Sequence, residues 1–192
     1  MSWTSWRAAL AALIVTPLLS IAGVVLVGQP ASAKVKCPTN SDQAGLNDSG
    51  VNWHGCNLDN YDFQQTTLTD ADLGDTQLVS ANLSYADLYN TNVNDSANLQ
   101  GANLTYANVS DASLATSDLV DANLSHANLT SSSLNSADLD CLNVYYNCAN
   151  LTSADLYNAT LQSAQLVFAT LTDATLTVPD AGPRVRSISR GP

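Results

Sequence analysis

From about residue 51 to residue 178 the chain repeats a five-residue unit of the form A-(N/D)-L-x-x, as in Ala81-Asn82-Leu83-Ser84-Tyr85. A unit this short buries nothing alone and must stack on its neighbours. On an α-helix, five steps of about 100° advance each leucine by about 140°, which spreads the leucines over every face. On a straight strand an odd period sends consecutive leucines to opposite sides. A chain that turns a corner once per unit avoids both outcomes. The leucine and the small residue two before it then face inward every time, and the other three positions face water. The expected architecture is an all-β solenoid with backbone hydrogen bonds running from coil to coil.

The run Ala97-Asn98-Leu99-Gln100-Gly101, Ala102-Asn103-Leu104-Thr105-Tyr106 and Ala107-Asn108-Val109-Ser110-Asp111 closely resembles the pentapeptide-repeat proteins. The resemblance implies a right-handed quadrilateral β-helix with four quintets per coil. Three blocks, 51–95, 97–146 and 149–178, supply nine, ten and six quintets, with Ser96 and Asn147-Cys148 as extra residues at corners. That makes about six coils, a rod of roughly 30 Å at a coil spacing of about 4.8 Å. Trp53, Tyr61, Phe63 and Leu142 widen an interior otherwise filled by alanine and leucine, the first three as an end plug.

Arg7, the apolar run Ala8 to Val27 and the small residues Ala31 and Ala33 read as a secretory signal, residues 1–33, or as an uncleaved anchor. Residues 34–50 are expected to form a cap, 51–178 the β-helix and 179–192 a flexible basic tail. After cleavage no membrane span is expected, and the coil lies outside the cytoplasm. Four cysteines suit an oxidising compartment. A Cys37–Cys56 bond would tie the cap over the first coil, and a Cys141–Cys148 bond would pin the second insertion. Metal binding is the other reading; neither spacing is C-x-x-C, and His54 and His126 are far apart. At the far end, Leu176 and Val178 are candidates for end-to-end pairing of two copies.

All seventeen acidic residues are aspartate, and no lysine or arginine lies between Cys37 and Pro183. Such a surface repels nucleic acid and anionic membranes and attracts basic protein faces. Some pentapeptide-repeat proteins are DNA mimics that occupy the DNA-binding saddle of DNA gyrase, so the resemblance also implies an inhibitor of a DNA-binding enzyme as the alternative role. Spread single carboxylates without a D-x-D-x-D-G loop give no reason to expect calcium, and no cofactor is expected.

Stacking every fourth quintet sorts the outward residues into four sides. On one of them Tyr85, Tyr106, His126, Tyr146 and Phe168 fall in consecutive coils beside Asn82, Asn103, Asn123 and Asn143, a repeated amide expected to hydrogen-bond up the stack. Rings in register stabilise a sheet, and a row of exposed rings also fits a protein or a cell-surface glycan. His126 would make such binding respond to pH near 6.5. With no glutamate and no lysine inside the repeat, the chain lacks the unlike groups that catalysis brings together. The expected role is a non-catalytic exported binding or structural module at the cell envelope.

Overall fold

The computed structural model describes residues 35–141 and 148–176. The expected leader, the tail from 179 and Tyr146 lie outside the described residues. The chain divides into two compact units, Met1–Lys34 and Val35–Pro192, and the repeats belong to the second.

The unit is built from isolated parallel bridges rather than long strands, one bridge residue per quintet. They line up in four columns, one for each side of the coil. The first side runs Asp42, Asp62, Asn82, Asn103, Asn123, Asn150, Thr170, and the second Asn47, Thr67, Asp87, Asn108, Asn128, Asp155, Thr175. The third runs Asn52, Asp72, Asn92, Ser113, Ser133, Thr160, and the fourth Asn57, Gln77, Asn98, Asp118, Asp138, Gln165. Among the described residues two sides therefore carry seven bridge residues each and two carry six.

Each quintet repeats one hydrogen-bonding scheme. Around Leu83, the Asn82 N–H donates back to Tyr61 O, while the Leu83 and Tyr85 N–H groups donate forward to Asn103 O and Thr105 O. The Ala86 N–H closes the corner onto Leu83 O. Only the residue after the leucine lacks a backbone acceptor, and the Asn/Asp before the leucine supplies one: the Ser84 N–H donates to Asn82 Oδ1. The same side-chain cap recurs at Thr105, Ser110, Ser125 and Thr152. Asn and Asp occupy that place because their short side chains reach the backbone two residues on. Asparagine also donates up the stack, from Asn103 Nδ2 to Asn82 Oδ1 and from Asn82 Nδ2 to Asp62 Oδ1.

The corner residue that follows has left-handed backbone in quintet after quintet, whatever its identity: Tyr85 at φ 58°, Thr116 at 61°, His126 at 59°. Inward, Leu83, Leu104, Leu124 and Leu151 are fully buried over Ala81, Ala102, Ala122 and Ala149. Where Thr66, Thr76, Thr91, Ser117 or Ser132 replaces the alanine, the buried hydroxyl donates to a backbone carbonyl, so none of these hydroxyls is stranded.

The first rungs lie earlier than residue 51. Asp42 pairs with Asp62 and Asn47 with Thr67, so two quintets of the expected cap belong to the coil. Their leucine places hold Gln43 and Asp48, which conceals them from a leucine count. The remaining strap, residues 35–40, is tied down by a Cys37–Cys56 disulfide, with Cα atoms 5.6 Å apart, and by the Tyr61 hydroxyl donating to Pro38 O. Asn40 completes the edge: its Nδ2 donates to Asp42 O and its Oδ1 accepts the Asp42 N–H. A side-chain amide thus stands where a preceding coil would pair. Trp53 and Tyr61 pack on Phe63, at centroid distances of 5.7 and 5.6 Å, as the plug beneath. At the other end Leu161, Leu166 and Leu171 are only partly buried, and Leu176 is 41% exposed.

Ser96 shifts the register by one residue without breaking the stack, since Gln77 pairs with Asn98 and Asn82 with Asn103. The second insertion is larger than two residues. Asn123 pairs with Asn150, so the register there advances by seven beyond the usual four quintets. Cys141 and Cys148, disulfide-bonded with Cα atoms 4.6 Å apart, bring the chain back beside the point where it left.

Candidate functional site

The corner between the first and second sides carries Gln65, Tyr85, Tyr106, His126, Ser153 and Asp173, one per coil. Left-handed backbone at each of them projects the side chain outward from the corner. Tyr85 and Tyr106 stack with centroids 5.1 Å apart and planes within 10°; Tyr106 and His126 stack at 4.6 Å and 4°. The spacing is the coil repeat itself, so the scaffold imposes the stacking distance. Both tyrosines are half-exposed, at 53% and 48%.

Of the five residues read as one stripe, three come together. Tyr146 lies outside the described residues, and the Asn123–Asn150 rung puts Ser153 after His126. Phe168 is on a different corner, between the fourth and first sides, in the column of Asn60, Ser80, Gly101, Asp121 and Cys141. It is displaced because the insertion is seven residues, not two. Tyr89 and Tyr157, 44% and 55% exposed, stand on the second side and escaped a reading that followed corner positions alone.

The stack covers both faces of Tyr106 and one face each of Tyr85 and His126. What they offer outward is edges, two hydroxyls and an imidazole, above the Asn82, Asn103 and Asn123 amides. Around them the surface is acidic, and Lys36 is the one lysine or arginine among the described residues. On the fourth side the pKa of Asp140 is raised, chiefly by burial, against a backbone hydrogen bond at Val167 that lowers it, with a smaller upward push from Asp138. In the first coil burial alone raises Asp48. A cavity of about 400 Å³ opens on the first side, lined by Asp121, Ala122, Asn123, Cys148, Asn150, Thr152 and Thr170. Among the described residues no group of His, Cys or Asp is arranged to hold a metal ion, and no helix is long and apolar enough to cross a membrane.

A four-sided stack of capped corners with a patterned outer surface defines a repeat scaffold. The chain belongs to the pentapeptide repeats family: eight copies match across residues 56–95, 97–135 and 149–177. Proteins of this family are generally non-catalytic structural or binding proteins, and their fold is the right-handed quadrilateral β-helix. Among solved structures the chain is similar to a pentapeptide repeat protein (Rfr23) from the cyanobacterium Cyanothece 51142. That likeness has 24% identity, covers 71% of this chain and 92% of that one, and has a TM-score of 0.39. It is also similar to full-length QnrB1, a plasmid-mediated fluoroquinolone resistance protein, at 19% identity, 71% and 79% coverage and a TM-score of 0.37. A pentapeptide repeat protein from the Arabidopsis thaliana thylakoid lumen aligns at 23% identity, 72% and 71% coverage and a TM-score of 0.21. A comparison with curated proteins finds no match.

Proposed function

We propose that this chain is an exported, non-catalytic scaffold that binds a protein partner outside the cytoplasm through the Tyr85–Tyr106–His126 corner. The observation that carries the reading is the ring ladder itself, stacked in register yet half-exposed. A buried ladder would be structural alone; an exposed one presents a rigid surface whose rotamers are already fixed, which lowers the entropy cost of association. Ring faces covered by neighbouring rings are unavailable for stacking on a sugar. Edges and hydroxyl tips favour a protein over a glycan. Two disulfides support an oxidising compartment, since such bonds do not persist in most cytosols.

The test is capture of partners from the source organism's envelope and external fractions by the mature chain and by a Tyr85→Ser/Tyr106→Ser variant. A partner retained by the wild type and lost by a variant with an unchanged circular dichroism spectrum supports the corner as the contact. Equal retention removes it. A DNA supercoiling assay on the same samples addresses the gyrase-inhibitor alternative, which inactivity at micromolar concentration would end. End-to-end pairing of copies through the last coil belongs to the same reading, and Leu171→Arg should abolish any dimer seen by sedimentation.

A further inference from the structure

The corner between the fourth and first sides comes apart at one place. Its backbone ladder runs from the Asn60 N–H to Val79 O, from Ser80 to Gln100 and from Gly101 to Val120, each at 2.9 Å. Among the described residues the Asp121 N–H makes no corresponding bond to Asp140 O. The sequence supplies the cause: the chain leaves the stack at Cys141 and re-enters it at Cys148, so the corner above Asp121 is wider than those below. The side next to it stays closed, with the Asn150 N–H donating to Ala122 O and the Thr170 N–H to Ala149 O, at 2.9 and 3.0 Å. An opened corner against an intact side leaves a hollow. The cavity of about 400 Å³ lies there, with Asp121 and Cys148 at the corner and Asn123, Asn150, Thr152 and Thr170 along the side.

We infer that this hollow binds a small organic amine that also carries hydroxyl groups. Asp121 supplies the charge: its Oδ1 is buried and accepts no hydrogen bond among the described residues. A buried acceptor left unpaired is costly, and a charged donor relieves that cost best. The Thr152 hydroxyl already donates to Asn150 Oδ1 at 2.7 Å, so its oxygen is left to accept. Donors are present too, in the Asp121 N–H and the second Nδ2 hydrogen of Asn150, whose first goes to Asn123 Oδ1 at 3.4 Å. A hydroxyl both gives and takes, which suits such a wall, while an ammonium suits the carboxylate. No basic side chain lines the cavity, so an anionic ligand would meet Asp121 without a counter-charge. A bare metal ion would find a single carboxylate in a space far larger than itself. The volume is that of a small-molecule site, in the range of about 300–1,000 Å³.

The hollow is separate from the ring corner. Tyr85, Tyr106 and His126 stand where the first side meets the second, and Asp121 stands at the other edge of the first side. None of the three rings lines the cavity. The amine site therefore goes beyond the partner-binding reading, and either can fail while the other stands.

The test is calorimetric titration of the full chain with glucosamine, at a pH where its amine is protonated, and with glucose, the same ring without the charge. Glucosamine should saturate a single site and bind about tenfold more tightly than glucose. Asp121→Asn keeps the shape of the wall and should lower glucosamine affinity about tenfold, with Thr170→Val lowering it several-fold. Asp111→Asn removes an exposed carboxylate from a different corner and should leave the affinity unchanged, which separates the hollow from general attraction to an acidic surface. Should Asp121→Asn fail to fold, Thr170→Val, at an exposed station, decides the matter alone. Equal affinity for the two sugars, no loss in the folded variants of the wall, or an equal loss in Asp111→Asn overturns the site and leaves a hollow that holds water alone.

Discussion

The imidazole of His126 lies parallel to the phenol of Tyr106, with centroids 4.6 Å apart and planes within 4°, and Tyr85 stacks on the opposite face of that phenol. Tyr106 is thus sandwiched, whereas Tyr85 has one ring neighbour. At about 0.5–1.5 kcal/mol per aromatic pair, Tyr106→Ser should cost roughly 1–3 kcal/mol and Tyr85→Ser about half of that. Urea unfolding of the two variants checks the ratio; equal losses would mean that the contacts are not pairwise.

Thr116 holds a β-branched side chain at φ 61°, where such residues are disfavoured. Thr116→Asn, which tolerates this backbone better, should stabilise the coil by about 1 kcal/mol and raise the melting temperature by roughly 2–4 °C. A lower melting temperature would show that the Thr116 side chain contributes more than its strain costs.

Asn103 serves three bonds: its Oδ1 accepts the Thr105 N–H and hydroxyl, and its Nδ2 donates to Asn82. Asn103→Ala removes all three and leaves a half-buried N–H unpaired, at a cost of about 1–3 kcal/mol. Asn103→Asp keeps the corner cap and loses the donor alone, so it should fall between Ala and wild type in a thermal melt.

Cys37–Cys56 closes a 19-residue separation over the first coil. Replacing both cysteines by serine should cost about 2–4 kcal/mol. The loss should appear first as faster amide exchange at Trp53 and Leu58, with Leu104 little affected.

Asp48 sits at a leucine station with Oδ2 buried and without a hydrogen bond, and burial raises its pKa. A carboxyl that holds its proton more firmly when folded gives stability at low pH, lost as pH rises through its folded pKa. Asp48→Asn should therefore raise the melting temperature at neutral pH, with the gain shrinking as the pH falls into the carboxylate range. Melts from about pH 3 to pH 7 measure this directly.

The inward half of each quintet was legible in the sequence, because a period of five leaves Leu104 and Ala102 one consistent way to be buried. The stacking amide of Asn103 was legible too, as one of a column of asparagines, but its capping of the Thr105 N–H was not, since A-N-L gives no sign of it. Gln43 and Asp48 hid the first two quintets by putting polar residues at leucine stations. The stripe misled for a sharper reason: Leu142-Asn143-Val144-Tyr145-Tyr146 fits the repeat, so counting by fives puts Tyr146 after His126 and carries Phe168 into the same column. The two cysteines seven residues apart at 141 and 148 were the available signal of the longer excursion that the Asn123–Asn150 rung reveals.

Amide hydrogen exchange of the chain, read residue by residue, is the most direct check on the stacked-corner architecture. Leu83, Tyr85 and Ala86 bond to backbone carbonyls, whereas Ser84 bonds to an asparagine side chain alone. Slow exchange interrupted by one fast amide in every five, resuming in phase at Asn150, is the predicted pattern. Protection with a period near 3.6, or none through the repeats, would contradict it.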